Sequence, residues 1–205
     1  MTPLHRLDTE RLVLRASDPA HAAEVAAFYT RNRVAHAPWS PPPTPTLFTA
    51  AGQQQRLLGA AMAEADGSQV GWWLTLREAP ERIVGQLRFS QVSRGPFYSA
   101  MLGYSIDSAC EGRGLMHEAL VAALADAGFE VVALSPRGEA ELSDLTVGPR
   151  VAALFGAEGP GLPDALLART RTVRIAMAKG FDSLNVATTS GIVLHTLNAT
   201  RETLP

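Results

Sequence analysis

The stretch Val151-Ala152-Ala153-Leu154-Phe155-Gly156-Ala157-Glu158-Gly159-Pro160-Gly161-Leu162 decides the architecture of the C-terminal part of this chain. An uninterrupted apolar run stops at a loop crowded with glycine and proline, the pattern of a buried strand feeding a shaped turn. Downstream, Thr172-Val173-Arg174-Ile175 reads as a second strand ending in Ala176-Met177-Ala178-Lys179-Gly180, and Phe181-Asp182-Ser183-Leu184-Asn185-Val186 opens a helix. Strands alternating with helices imply an α/β sheet. In such sheets ligands sit at the carboxyl ends of strands, where glycine permits close backbone approach and helix N-termini offer free N–H groups. Singly, the glycines read as turn residues and Ser183 or Asp182 as a helix cap. Their convergence reads as a cofactor site.

Gly156-x-Glu158-Gly159-x-Gly161-Leu162, Ile175-x-Met177 and Ser183-Leu184-Asn185-Val186, in that order, resemble the second and third signature motifs of the SpoU-type RNA 2′-O-ribose methyltransferases. The resemblance covers the last third to two fifths of the chain. It implies a SPOUT-like α/β half, in which the C-terminal segment can be tucked through a loop as a trefoil knot, and a site for S-adenosylmethionine. Gly156, Ile175 and Leu184 would contact the cofactor largely through backbone atoms, and Glu158, Ser183 and Asn185 would line the substrate side and carry the chemistry, with rRNA or tRNA as acceptor. The family's Ile-Pro-Met is Ile175-Ala176-Met177 here, so the loop lacks a fixed φ, a difference of about 0.5–1 kcal/mol in chain entropy. Lys179, the only lysine in the chain, stands where that family more often has a small residue.

The chain has 205 residues and a formal net charge of −2, long enough for one large α/β domain or two small ones and without the basic excess that advertises nucleic acid. RNA contact would have to come from local arginines, and Arg137, Arg150, Arg169, Arg171 and Arg174 cluster in the sequence; a solvated surface explains them equally. Nothing points to DNA. The single cysteine, Cys110, excludes a disulfide framework. The first residues lack the apolar core of a signal peptide, and no apolar run reaches membrane-spanning length, so a cytoplasmic protein is expected.

Taken in order, Thr9 to Arg15 alternates as a strand with Leu12 and Leu14 on one face. Ser17-Asp18-Pro19 caps a helix from Ala22 to about Tyr29. Pro38 to Pro45 is an extended, proline-stiffened loop, and Phe48 to Ala65 carries helical spacing. Gly71–Leu76, Arg82–Phe89 and Ser99–Asp107 are strands, the first two separated by a polar turn around Glu78 to Glu81. Then Cys110-Glu111-Gly112-Arg113-Gly114-Leu115-Met116-His117-Glu118-Ala119-Leu120 makes a strand–loop–helix unit whose bare amides suit a pyrophosphate.

This succession, closing on Gly-Arg-Gly-Leu-Met-x-Glu-Ala-Leu, resembles the acetyl-CoA-binding half of the GNAT acetyltransferases, especially the RimJ-like branch that acetylates protein N-termini. The resemblance spans roughly residues 7 to 128 and implies a mixed sheet with helices. It implies further that the strand Leu102 to Ile106 pairs with the pantetheine arm and that Gly112, Arg113, Gly114 and Leu115, with Ile106, hold acetyl-CoA. Glu111 departs from the usual Gln or Arg, and its charge sits badly beside phosphates; as a helix-N-terminal acid it complements the dipole.

The helix Leu115 to Ala127, closed by Gly128, is shared ground, and Val131–Leu134 serves as the next strand of either architecture. The chain reads as a fusion of two partial transferase domains, 1–128 and 129–205. The acetyltransferase part lacks its later strands and closing helix. The methyltransferase part lacks its first motif, Asn-x-Gly-x-x-x-Arg; Gly52 and Arg56 have the spacing, but Ala50 stands at the asparagine position and Arg56 falls in an acetyltransferase-like helix. Three functions follow as expectations: RNA 2′-O-methylation impaired by that loss, N-acetylation, or a catalytically inactive cofactor- or RNA-binding module. His117 and His195 are candidate bases, although a lone helix histidine is more often a packing residue. A homodimer is expected through the small-residue face Ala187, Ser190 and Gly191, which could equally pack internally.

Overall fold

The computed structural model describes residues 6–93, 99–157, 159–178 and 184–202, the last three without side chains. The chain divides into two compact units, Met1–Leu120 and Val121–Pro205.

In the first unit β1 (Leu7–Asp8) turns into β2 (Leu12–Arg15). Leu12 and Leu14 are fully buried and pair with Leu76 and Leu74, so the alternation read from the sequence sets one apolar face of the sheet. The Asp18 carboxylate accepts the Ala20 amide at 2.8 Å and opens the turn into α1 (Ala22–Arg31), which buries Ala22, Val25, Ala26 and Phe28. A short α2 (Arg33–His36) follows. The proline-rich stretch has no regular structure from Ser40 to Thr44 but tightens into 3₁₀ turns at Ala37–Trp39 and Pro45–Phe48, where proline's fixed φ is compatible with a first turn. Thr49 Oγ1 accepts the Gly52 amide to start α3 (Ala50–Asp66), and Gly67 closes it at φ +78°.

The strands β3 (Val70–Leu76), β4 (Ala79–Ser93) and β5 (Ser99–Ile106) complete a sheet of order β1-β2-β3-β4-β5. The expected polar turn around Glu78 to Glu81 is shorter than its composition suggests. Leu76 pairs with Ala79 and Thr75 already with Ile83, so Pro80 to Arg82 form a bulge, where a proline is tolerated because it owes the ladder no N–H.

The chain crosses between units inside α4 (Leu115–Asp126), which ends in a Schellman arrangement: Gly128 at φ +79°, its amide on the Ala125 carbonyl and the Phe129 amide on the Leu124 carbonyl. β6 (Glu130–Leu134), β7 (Ala140–Glu141), β8 (Val151–Leu154), α5 (Asp164–Leu167), β9 (Arg171–Arg174) and α6 (Val186–Glu202) build the second unit around a sheet of order β7-β9-β6-β8. Its core joins Val132, Leu142, Leu145, Val147 and Val173 to Val193 and Leu197, four apart on α6.

The α/β class is therefore observed, with one correction in detail. The sheet of the first unit, expected to be mixed, is antiparallel in every described pair. Parallel pairing is confined to the second sheet because β6, the strand that α4 delivers, pairs there with β8 and β9. Of the two architectures that Val131–Leu134 could serve, it serves the second. The trefoil knot turns on the course of residues 179–183, outside the described residues. No helix among the described residues is long and apolar enough to cross a membrane.

Open space surrounds Gly128, so a methyl group there meets nothing and only the left-handed φ is unfavourable. Gly128→Ala is expected to destabilise the chain by about 1 kcal/mol, lowering the melting temperature by about 2–4 °C. An unchanged melting temperature in calorimetry would show that this helix end carries no such constraint.

Candidate functional site

In the first unit the candidate site starts at β5. Among the described residues it is the edge strand of its sheet, hydrogen-bonded to β4 alone. Its C-terminal end is clamped from three sides. His36 Nε2 donates to the Ile106 carbonyl at 2.8 Å, and Asn32 Oδ1, fully buried, accepts the Ser108 amide at 3.0 Å. The buried Asp107 carboxylate accepts from Arg31 Nε at 2.6 Å, from Arg82 Nη2 at 3.1 Å and from the Ala109 amide at 3.1 Å. Burial pushes the Asp107 carboxyl up, but the amide and the two guanidiniums outweigh it and hold the group below the usual aspartate range.

The loop then runs through Gly112 and Gly114, both at φ +70°, a conformation L side chains rarely adopt. The first intrahelical bond of α4 is the Glu118 amide to the Gly114 carbonyl at 3.1 Å, and among the described residues no chain acceptor takes the amides from Gly112 to His117. Such a run of free donors at a helix start is a site for an anion. Leu115 is a core side chain, 1% exposed, so only its backbone is available there. Arg113 is exposed; its carbonyl accepts from Arg11 Nη1 at 2.9 Å, and its guanidinium reaches Cys110 Sγ at 4.0 Å. Ile106, Gly112, Arg113, Gly114 and Leu115 thus lie along one continuous turn.

Sequence reading missed what holds this turn. Glu118, in the first helical turn and 5% exposed at its side chain, accepts from Thr9 Oγ1 at 2.6 Å, the Arg11 amide at 2.9 Å and Arg11 Nε at 2.7 Å. These partners lie more than a hundred positions upstream, and no local pattern signals them.

In the second unit the carboxyl ends of β6, β8 and β9 and the start of α6 surround a cavity of about 890 Å³. Its lining includes Leu134, Phe155, Gly156, Ile175, Leu184 and Asn185, bringing together four of the residues singled out in the sequence. The other two, Glu158 and Ser183, lie outside the described residues. The cavity is of the size that small-molecule and cofactor sites occupy, and its lining mixes apolar residues with Ser135, Arg137, Asn185 and Thr189.

Gly156 lines the cavity and is also tightly packed. A Cβ there would fall on the Gly161 carbonyl carbon and the Leu162 amide, so the absent side chain first serves close packing of the loop on itself. The loop is tied by the Gly161 amide to the Ala157 carbonyl at 3.0 Å. Ile175 lines the cavity and also packs against the core. Asn185 Oδ1 accepts the Ala187 amide at 2.8 Å and caps α6. Leu184 is 39% exposed, a side chain the fold does not require to be covered.

The C-terminal arginines are largely engaged within their own unit. Arg137 pairs with Asp164, Arg171 with Glu130 and Arg174 with Glu141, while Arg150 donates to the Ala127 carbonyl at 2.9 Å. Gly52 abuts the backbone of Thr46, which accounts for that glycine within the first unit.

A model of the acetyltransferase (GNAT) domain family matches residues 11–143, and a model of the SpoU rRNA methylase family matches residues 113–195. The first match spans well over half of the chain. The chain belongs to the GNAT acetyltransferase family. This GNAT protein is also a fusion: its C-terminal part is SpoU-like, and the two matches overlap from Arg113 to Ser143, the segment that holds the glycine loop, α4 and β6. Over 123 residues it is 37% identical to the ribosomal protein uS5-alanine N-acetyltransferase of Escherichia coli (strain K12), covering 60% of this chain and 62% of that protein. Over 77 residues it is 42% identical to an uncharacterized tRNA/rRNA methyltransferase of Mycobacterium bovis, covering 35% of this chain and 27% of that protein. Among solved structures it resembles a ribosomal-protein-S5-alanine acetyltransferase from Vibrio fischeri at TM-score 0.56 and 26% identity, covering 61% of this chain and 69% of that one. The GNAT chain therefore spans less than two thirds of the length of its curated relatives. The cofactors of the two families are acetyl-CoA and S-adenosylmethionine.

Burial pushes the Glu118 carboxyl up, and the hydrogen bonds from Thr9 and from the Arg11 amide and guanidinium outweigh it, leaving the group below the usual glutamate range. Folded, it binds fewer protons than unfolded. Its contribution is therefore complete above the ordinary glutamate value of about 4.3 and is lost as pH falls through the lower folded value. Glu118→Gln should cost about 1.5–3 kcal/mol near neutral pH, with the gap to the parent narrowing as urea titrations move into acid. A gap constant across that range would show that shape, not charge, is what Glu118 supplies.

Proposed function

We propose that the first unit is an acetyl-CoA-dependent N-acetyltransferase module acting on a protein N-terminus of the kind its ribosomal-protein-modifying relatives accept. The observation that supports this best is the run of amides from Gly112 to His117 that no acceptor among the described residues takes, at the start of a helix that Glu118 ties to Thr9 and Arg11. Glycine φ values aim these donors, and the exposed Arg113 guanidinium adds positive charge beside them. When bound, acetyl-CoA supplies an activated acyl thioester. The amides from Gly112 to His117 would hold its pyrophosphate, and the open edge of β5 from Leu102 to Ile106 would offer backbone groups to its pantetheine amides. The clamp at Asn32, His36 and Asp107 keeps the strand end and the loop in one register, which is the positioning that transfer from a bound thioester needs. Glu111, exposed at the head of the loop, opposes phosphate.

Titration calorimetry with acetyl-CoA tests this reading. Gly114→Val, which forces a β-branched residue into the left-handed region, should weaken binding about tenfold or more. Glu111→Gln should tighten it about two- to fivefold, the range of a single solvated like charge. Absence of heat with the parent chain, or equal heats with Gly114→Val, would remove the site from this loop.

The 890 Å³ cavity supports a second reading, S-adenosylmethionine binding in the SpoU manner, with rRNA or tRNA as methyl acceptor. The ribose hydroxyl is a poor nucleophile, and positioned acid–base assistance is worth about 10²–10⁴-fold. The family's arginine for that task has no counterpart in the chain: Arg56 belongs to α3 of the first unit. Methyl transfer should accordingly run far below that of an intact enzyme, while binding persists. Leu184→Glu should abolish S-adenosylmethionine binding with little change in melting temperature. Gly156→Ala should lower both, because its methyl strikes the backbone. Retained binding in Leu184→Glu would place the cofactor outside this cavity.

A further inference from the structure

The first unit holds a second, smaller cavity of about 210 Å³, formed by α1, α3 and the face of strands β3 and β4. Trp73, Gln86 and Arg88 share that face, since Trp73 pairs with Gln86 and Gly71 with Arg88 in the antiparallel register. Tyr29 from α1 and Arg56 from α3 complete the lining that matters here.

The cavity brings together two guanidiniums that hold no carboxylate among the described residues. Elsewhere in the unit Arg11, Arg15, Arg31 and Arg82 each hold a carboxylate, from Glu118, Glu24 or Asp107. Arg56 and Arg88 hold none among the described residues, yet both line the same small space. Arg88 Nε is buried with no hydrogen-bond partner, an uncommon state for a guanidinium donor. The Arg56 guanidinium lies over the Tyr29 ring, 5.9 Å from its centroid, and the Tyr29 hydroxyl donates to Gln86 Oε1 at 3.3 Å. Glu64 accepts the Ser17 hydroxyl at 2.8 Å and Gln69 Nε2 at 3.5 Å, both from residues of the cavity lining, and pairs with neither guanidinium. Two planar guanidiniums without an internal anion match a carboxylate, and the volume admits a carboxylate side chain but not a nucleotide.

We propose that this cavity is a carboxylate subsite that receives an acidic side chain close to the N-terminus of the acceptor protein. Its assignment to the acceptor rests on the acetyl-transfer reading. Gln86 pairs with Ser105 of β5, so the backbone of one cavity-lining residue lies about 4.8 Å, one strand spacing, from the strand whose open edge would hold the thioester arm. An extended peptide advances about 3.4 Å per residue, which brings the side chain of one of the first few residues within reach while the terminal amine stays at that edge.

The test uses the full chain and two C-terminally amidated tetrapeptides with a free N-terminal alanine, one carrying glutamate at the next two positions and the other glutamine. Calorimetry should give about fivefold or tighter binding of the acidic peptide, and Arg56→Gln and Arg88→Gln should each erase most of that preference while leaving the glutamine peptide unchanged. Arg56 is exposed, so its substitution keeps the test valid even where Arg88→Gln lowers the melting temperature. Equal affinities of the parent chain for the two peptides, or a preference retained in both variants, would overturn the proposal. Succinate binding as tightly as the acidic peptide, and with the same arginine dependence, would overturn the assignment to an acceptor. A retained charge preference in a chain that fails to bind acetyl-CoA would support the subsite and overturn the acetyl-transfer reading alone.

Discussion

A buried carboxylate in the first turn of α4 is the constraint on which the acetyl-CoA-type loop depends. Glu118 gathers the Thr9 hydroxyl and the amide and guanidinium of Arg11, and Arg11 in turn reaches the Arg113 carbonyl. The β1–β2 turn and the glycine loop are thereby fixed to one another. Gly112 and Gly114 supply the left-handed geometry, but glycine alone gives freedom rather than direction. The direction comes from the carboxylate. The amides of the helix start, which no acceptor among the described residues takes, then form a fixed set of donors, an arrangement suited to an anion because it needs no reorganisation.

The same helix explains how parts of two families occupy one chain. The family matches overlap from Arg113 to Ser143, so α4 answers to both. Its N-terminal turn closes the loop of the first unit, and its C-terminal Schellman end, with Gly128 at φ +79°, delivers β6 to the parallel sheet. A helix is a tolerant junction because its hydrogen bonds are local and its phase is kept if no residue is gained or lost. What the junction changes is the destination of the next strand. In this protein β6 joins β8 and β9, which leaves the sheet of the first unit purely antiparallel and β5 at its edge.

Much of this was legible in the sequence, for reasons that lie in local chemistry. Leu12 and Leu14 alternate, Asp18 caps, Gly128 stops a helix, and Gly156 ends a strand; each signal acts within a few residues of itself. The cavity that joins Gly156, Ile175, Leu184 and Asn185 was readable because its motifs sit at strand ends, where the topology of an α/β sheet brings them together. Three features were not readable. The Glu118 tie spans 107 residues. The bulge at Pro80 to Arg82 reflects strand pairing rather than turn composition. The close approach of Gly156 to Gly161 and Leu162 is a packing contact that the motif does not signal.

The two candidate cofactor sites share a property that separates binding from catalysis. Each is built from backbone groups at the ends of a few neighbouring elements: one loop and one helix start in the first unit, three strand ends and one helix start in the second. Such sites survive the loss of distant segments, because the donors are positioned by secondary structure formed on the spot. Acid–base and substrate-orienting groups are different. They come from separate parts of a fold and must converge to within hydrogen-bond reach of a reacting atom. The chain spans about three fifths of one relative's length and about a quarter of another's. In the first unit the convergence still present runs through α1, α3, β3 and β4, where Tyr29, Arg56, Gln86 and Arg88 meet beside the strand that leads to the glycine loop. The second unit spends Arg171 and Arg174 on Glu130 and Glu141 and uses the Asn185 side-chain oxygen to cap its last helix. Among the described residues, which leave out Glu158 and Ser183 of the second unit, long-range convergence of polar side chains is therefore more evident in the first unit.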